Sequence, residues 1–204
     1  VYPPFLPAPR RAERNLVTVP ATLSDNTWCF DFDRLRDAVT PKTRLLLLCN
    51  PPNPVGRVLN RDELIAVAAF CDDHNLTICS DEIHCGLILD KERKHVPIAT
   101  LNEETAKRTV TLMAPSKTYN LPGLGCSFAI ISDPEARSVF RKAMAGIVPH
   151  VNALGYTAAL AAYRDGGEWL SALLDYLRGN EETVFRAVND MPGLSMNHVE
   201  ATYL

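Results

Sequence analysis

The chain has 204 residues, is 47% hydrophobic and 22% charged, and carries a formal net charge of -3. That composition belongs to ordinary globular proteins, and it argues against a basic surface for nucleic acid or anionic lipid. No apolar run approaches the ~20 residues needed to span a bilayer as a helix.

The chain opens on VYPPFLPAPRR without an initiator Met and stops in the strand-like HVEATYL, so a central fragment of a longer protein is expected. In chain order, Asn15–Ala21 (NLVTVPA) reads as a strand, and Asp31–Val39 as a helix with Asp31 as its N-cap. The apolar run Arg44–Asn50 (RLLLLCN) reads as a fully buried strand. Asn60–Asn75 reads as a helix capped by Asn60, with Glu63 completing a capping box and Leu64, Val67, Ala68 and Cys71 as its apolar stripe. LTICSDE is the next strand and GLILD a short one, followed by RTVTLMA and CSFAIIS. Asp133 and Pro134 open a further helix. Two more helices run through NALGYTAALAAYR and GEWLSALLDYLRGNEETVFRAVNDM, and LSMNHVEATYL begins a new strand layer.

Alternating helices and near-continuous apolar strands imply an α/β protein: three layers, α/β/α, around a mostly parallel sheet. The break at Met191–Gly193 divides a large domain, residues 1–190, from the start of a small one, residues 191–204. Ligands of such sheets bind at the carboxyl ends of the strands. Three polar clusters stand there: NPPNPVG (Asn50–Gly56), SDEIH (Ser80–His84) and APSK (Ala114–Lys117).

Taken singly, each cluster has an ordinary reading. NPPNPVG makes a stiff connector, Asp81 caps a turn with His84 on the surface, and Lys117 reaches out of a loop. Together they match one chemistry. A pyridoxal phosphate site needs a lysine for an imine and a carboxylate facing the pyridinium nitrogen. It also needs a hydrogen bond to the phenolic oxygen. Lys117, Asp81 and Asn53 fill these roles in turn.

The segments NPPNPVG, SDEIH and SKTYNLPGL resemble the class I/II aminotransferases, fold-type I pyridoxal-phosphate enzymes, over essentially the whole chain. HVPIATL, APSKTYNLPGL, GGEWLSALLDYLRGN and EATYL are most similar to that family's cystathionine β-lyase-like branch, which cleaves carbon–sulfur bonds of cysteine conjugates. The resemblance implies pyridoxal 5'-phosphate as cofactor and Lys117 as its covalent anchor and the catalytic base. Asp81 is implied at the ring nitrogen, Asn53 and His84 at the phenolic oxygen, and Tyr2 stacked on the ring. It also implies a small amino-acid substrate, such as cystathionine or another cysteine conjugate, and a homodimer. His84 stands where most aminotransferases carry Tyr. Gly125 and Ala114 stand where many members carry a phosphate-binding Arg and a Ser, which leaves Ser116, backbone N–H groups or an expected segment N-terminal to this stretch for the phosphate.

The expected reaction is β-elimination to a thiol, pyruvate and ammonia; transamination is the alternative, and a non-catalytic or cofactor-free fragment the reading from another class. A zinc site built from Cys71, His74, Cys79, His84, Cys85 and His95 is disfavoured, because Cys71 falls on a helix stripe and Cys79 inside a strand. No G-x-G-x-x-G occurs, so a dinucleotide site is set aside. The six cysteines, at 29, 49, 71, 79, 85 and 126, lack a disulfide pattern, so the cytoplasm is the expected compartment. Trp28 and Trp169 are expected as packing anchors, and His74 and His95 at the surface or a helix end. His150 is a candidate at an active-site entrance between subunits.

Overall fold

The structure, a computed structural model, describes residues 2–203. After a short helix, α1 (Pro7–Arg11), comes a hairpin of β1 (Thr22–Ser24) and β2 (Thr27–Cys29). Asp25 and Asn26 between them both have positive φ, the conformation a two-residue type I′ connection requires. This replaces the strand expected over Asn15–Ala21. That stretch has apolar residues at alternate positions, but no strand pairs with it, and Val17 is left 58% exposed.

Helix α2 (Phe32–Ala38) starts at Asp31, whose carboxylate accepts from the Arg34 N–H at 3.0 Å. Strands β3 (Leu45–Cys49) and β4 (Thr77–Asp81) flank α3 (Arg61–Asp73). The capping box of α3 is complete: Asn60 Oδ1 accepts from the Glu63 N–H at 2.9 Å, and Glu63 Oε2 from the Asn60 N–H at 2.8 Å. Helix α4 (Glu103–Lys107) precedes β5 (Thr109–Met113), which leads into the single turn α5 (Pro115–Thr118) and then β6 (Phe128–Ile131). Helices α6 (Pro134–Met144), α7 (Ala153–Asp165) and α8 (Gly167–Asn189) follow. Among the described residues, no helix is long and apolar enough to cross a membrane.

The main sheet has the order β3-β4-β5-β6, parallel across the first two pairings and antiparallel at β5–β6. The α/β class and mostly parallel sheet expected from the sequence are therefore present. Side chains alternate between the two faces. On one face Leu48 and Ile78 join Leu64, Val67, Phe70 and Cys71 of α3, with Leu59, Leu76 and Ile98, in one buried core. On the other lie Leu47, Cys49, Cys79, Asp81, Val110 and Leu112, all half-buried. Strand β3 is less buried than expected, since Leu45 is 48% exposed.

The expected GLILD strand is reduced to an isolated bridge between Ile88 and Ala201, which is also the only strand-like pairing among the described residues of 194–203. Trp28 and Trp169 are exposed rather than interior anchors. His74 does close α3, tilted against Phe70 at 4.8 Å.

Candidate active site at the strand ends

Because β3, β4 and β5 are hydrogen-bonded neighbours running in parallel, their carboxyl ends lie side by side. Cys49, Asp81 and Leu112 are consecutive partners across the sheet. Asn53 follows β3 by four residues, Asp81 ends β4, and Lys117 follows β5 by four residues.

The loop after β3 is held closely. The Asn50 N–H continues the ladder onto the Asp81 carbonyl at 3.0 Å, and Asn50 Oδ1 accepts from the Leu59 N–H at 3.2 Å, closing the loop on itself. Its Asn50–Pro51 and Asn53–Pro54 peptides are cis. The backbone of Asn53 reaches the Cys49 sulfur, and Asp81 stands close enough to help raise the Cys49 thiol, after burial, to about 11. Burial also pushes the Cys79 thiol up to about 11, with the Asp81 charge adding to it. Both thiols are thus protonated neighbours of Asp81 near neutral pH.

Asp81 is half-buried, and burial raises its pKa; its Oδ1 accepts from the Ile83 N–H at 3.1 Å, which opposes the rise, and the Glu82 charge reinforces it. No cation among the described residues offsets this carboxylate. His84 is 4% exposed, and its pKa is lowered by burial first and by the charge of Lys117 second. Its Nδ1 is buried and unpartnered. Lys117 and Ser116 sit half-buried in α5. The turn carrying His84 presses directly on that helix: a Cβ on Gly86 would lie 2.5 Å from Thr118 Cγ2 and 2.7 Å from its Oγ1, so only glycine admits the approach.

The strand ends therefore bring Asn53, Asp81, His84, Ser116 and Lys117 to one end of the sheet. Tyr2 is different: it is 41% exposed, its ring meets Phe5 edge-on at 6.2 Å, and no contact ties it to the other five. Ala114 is 7% exposed, while Gly125 lies open, and a Cβ there would have nothing within 4 Å. His150 is exposed.

Sequence reasoning missed the support behind the site. Glu82 and Ser80, on the face opposite Asp81, are fully buried. Glu82 Oε1 accepts from the Ser80 hydroxyl at 2.9 Å and from the Ile98 N–H at 3.3 Å; Oε2 meets His95 Nε2 at 2.7 Å. His95 is thus an interior partner of Glu82, not a surface residue. The signal was present in SDEIH, because strand alternation sends Glu82 into the core if Asp81 faces out. Also missed was the segment Val199–Tyr203, which lies across the strand-end loops.

The six Cys and His residues of the zinc alternative do not form a cluster. Among the described residues, the group close enough to hold a metal is Glu181, Glu182 and His198, where His198 Nδ1 already meets Glu181 Oε1 at 3.0 Å and Glu182 pairs with Arg186. A hollow of about 450 Å³ lies between Tyr119, Ala158 and Trp169, but none of Asn53, Asp81, His84 or Lys117 lines it.

The residues fit pyridoxal phosphate. A half-buried carboxylate lacking a cation suits a protonated ring nitrogen, an orphaned buried imidazole nitrogen suits a polar ring substituent, and a lysine beside that imidazole suits an aldehyde carbon.

The model of the family described as aminotransferase class I and II matches residues 1–204. The chain is 36% identical to cystathionine beta-lyase PatB of Bacillus subtilis (strain 168), covering 100% of this chain and 53% of PatB. Among solved structures it resembles the crystal structure of OvoB, at 46% identity and a TM-score of 0.96 over 100% of this chain and 54% of the other. It also resembles cystalysin from Treponema denticola, whose crystal structure contains a pyridoxal 5'-phosphate cofactor, at 32% identity and a TM-score of 0.94 over 100% and 52%. The chain thus spans about half the length of the relatives it matches.

Proposed function

Since the chain belongs to the aminotransferase class I and II family, we propose that its protein is a pyridoxal-phosphate-dependent carbon–sulfur β-lyase acting on a small cysteine conjugate such as cystathionine. The observation that carries this is that Asp81 ends the middle one of three neighbouring strands while Asn53 and Lys117 follow the ends of the other two by four residues each, with the unpartnered His84 Nδ1 beside Lys117. The β-lyase, rather than the transaminase, is favoured by the likeness to PatB and by Gly125 and Ala114 at positions where many aminotransferases carry Arg and Ser.

When bound, pyridoxal phosphate supplies an electron sink for the substrate's α-carbon. Lys117 would hold the cofactor covalently, and its Nζ would take the substrate's α-proton as general base. The Asp81 carboxylate would hold a proton on the ring nitrogen. Asn53 and His84 would hydrogen-bond the phenolic oxygen, Ser116 would contribute to the phosphate site, and Tyr2 would pack on the ring. The net reaction would take the cysteine conjugate and one water to thiol, pyruvate and ammonia.

Transamination is the second reading, favoured by the family's own description; a cofactor-binding protein without turnover is the third. The same proposal takes residues 1–190 as the cofactor-binding domain and 191–204 as the opening of a second one, in a homodimer of the cytoplasm. The test is the full-length protein with cystathionine and other S-substituted cysteines. Stoichiometric pyruvate and thiol support the lyase. Keto-acid exchange without pyruvate establishes the transaminase, and neither product with cofactor bound leaves only a binder.

A further inference from the structure

We propose that Val199–Tyr203 is a strap that fixes the three site-bearing loops relative to one another, and that Tyr203 is a positioning residue for Lys117. The inference rests on the role given above to Lys117.

Helix ends leave carbonyls without intrahelical donors. In α5 the Pro115 carbonyl receives the Tyr119 N–H at 2.9 Å and the Ser116 carbonyl the Leu121 N–H at 3.0 Å. The Lys117 carbonyl receives the Tyr203 hydroxyl at 3.1 Å, from 86 residues further along the chain. Burial raises the Tyr203 pKa, which keeps that hydroxyl a donor across the neutral range.

The rest of the strap is anchored to the other two loops. The Gly56 carbonyl, in the loop that carries Asn53, accepts from the N–H groups of Glu200 at 2.7 Å and Ala201 at 3.0 Å. Glu200 Oε2 accepts from the Val58 N–H at 2.6 Å. Gly56 has φ +70, and a Cβ there would lie 2.9 Å from Val199 Cγ1, so this glycine both turns the loop and admits the strap. On the other side, the Glu200 carbonyl accepts from Leu89 and Asp90 at 2.9 and 3.0 Å, and the Thr202 N–H donates to Leu87 at 2.8 Å. Leu87 in turn donates its N–H to the His84 carbonyl at 2.9 Å. Arg93 closes the clasp on Glu200 Oε1 at 3.2 Å.

Thr202 is a β-branched residue with φ +72, 2% exposed. Such residues enter the left-handed region rarely, and they persist there where surrounding contacts over-determine the backbone. Here that backbone turn delivers Tyr203 to Lys117. One five-residue segment thus ties the Asn53 loop, the stretch after His84 and the Lys117 carbonyl together.

The experiment compares the wild-type full-length protein with Tyr203→Phe and Glu200→Gln, and with Tyr156→Phe as a control hydroxyl that is exposed on α7. Hydrogen exchange is read first without cofactor. Loss of one hydrogen bond worth ~1 kcal/mol predicts about fivefold faster exchange at the amides of Thr118, Tyr119 and Leu121 in Tyr203→Phe. Glu200→Gln, losing the Arg93 pair, speeds exchange at Val58 and Leu89. The Tyr156→Phe control changes neither. After addition of pyridoxal phosphate, Tyr203→Phe shifts the pH midpoint of the bound-cofactor absorbance, while the melting temperature falls by no more than about 2–4 °C, the worth of one such bond. Unchanged exchange at 118–121 overturns the strap. Faster exchange with an unmoved midpoint reduces Tyr203 to a structural hydrogen bond and overturns its positioning role. If the wild type never binds cofactor at Lys117, the lyase reading fails, and the exchange data still decide whether the strap exists.

Discussion

Gly86→Ala tests the closest contact behind the site. The new methyl would stand 2.5 Å from Thr118 Cγ2 and 2.7 Å from Thr118 Oγ1. Carbon–carbon contacts are most favourable at about 3.5–4.0 Å, so roughly 1 Å of overlap must be relieved. Thr118 is 5% exposed and belongs to α5, so it has little room to rotate away, and the helix carrying Lys117 must move. Overpacking of this kind costs about 1–3 kcal/mol. For a chain of about this size each kcal/mol lowers Tm by about 2–4 °C, so the expected drop is roughly 2–12 °C. Displacing a reacting group by about 1 Å costs about 100-fold in turnover. Thr118→Ala removes both offending atoms and leaves the Thr118 Cβ at 3.2 Å, a contact that a shift of a few tenths of an ångström relieves. The double variant should therefore recover most of the lost Tm and activity, whereas Thr118→Ser, which keeps Oγ1, should recover less. Thermal melting and steady-state kinetics of the wild type, Gly86→Ala, Thr118→Ala and the two double variants measure this. An unshifted Tm for Gly86→Ala, or strictly additive losses in the double variant, would refute the close approach of the His84 turn to α5.

Two further outcomes follow from the charges around β4. Glu82→Ala leaves His95, Ser80 and the Ile98 N–H without their buried acceptor and should destabilise the fold by about 3–5 kcal/mol, read by denaturant or thermal unfolding; a loss under 1 kcal/mol would show the network to be solvated. Asp81 has a raised pKa in the folded, cofactor-free chain, so the folded state holds its proton more tightly than the unfolded state does. Its contribution to stability is full below the unfolded value of about 3.9 and is lost as pH rises through the higher folded value. Asp81→Asn should remove that pH slope and melt no lower than wild type at neutral pH without cofactor, yet lose about 10- to 150-fold in turnover, the worth of a hydrogen bond to a charged group. A variant less stable without cofactor but fully active would contradict both roles.

Local chemistry was readable wherever one short stretch supplies all its own partners. Asp31, Asn60 with Glu63, and Asp133 each cap the helix expected from them, because the bonds span three residues. The strand-end clusters were readable because apolar runs stop abruptly at Asn50, Asp81 and Ala114. Asn15–Ala21 was misread because alternation says nothing about whether a neighbouring strand exists. The hairpin around Asp25–Asn26 went unread, although that pair is the one able to take the two positive φ values its turn needs. The buried role of His95 depends on a carboxylate 13 residues earlier, and the strap depends on bonds between residues 86 to 145 positions apart. Such pairings leave no periodic trace in the chain.

The most direct measurement is to incubate the full-length protein with pyridoxal phosphate, reduce it with borohydride and map the modified peptide by mass spectrometry. One pyridoxyl phosphate group on Lys117 is the predicted result. A label on Lys42, Lys91, Lys94, Lys107 or Lys142 in its place, or no label at all, would contradict the account.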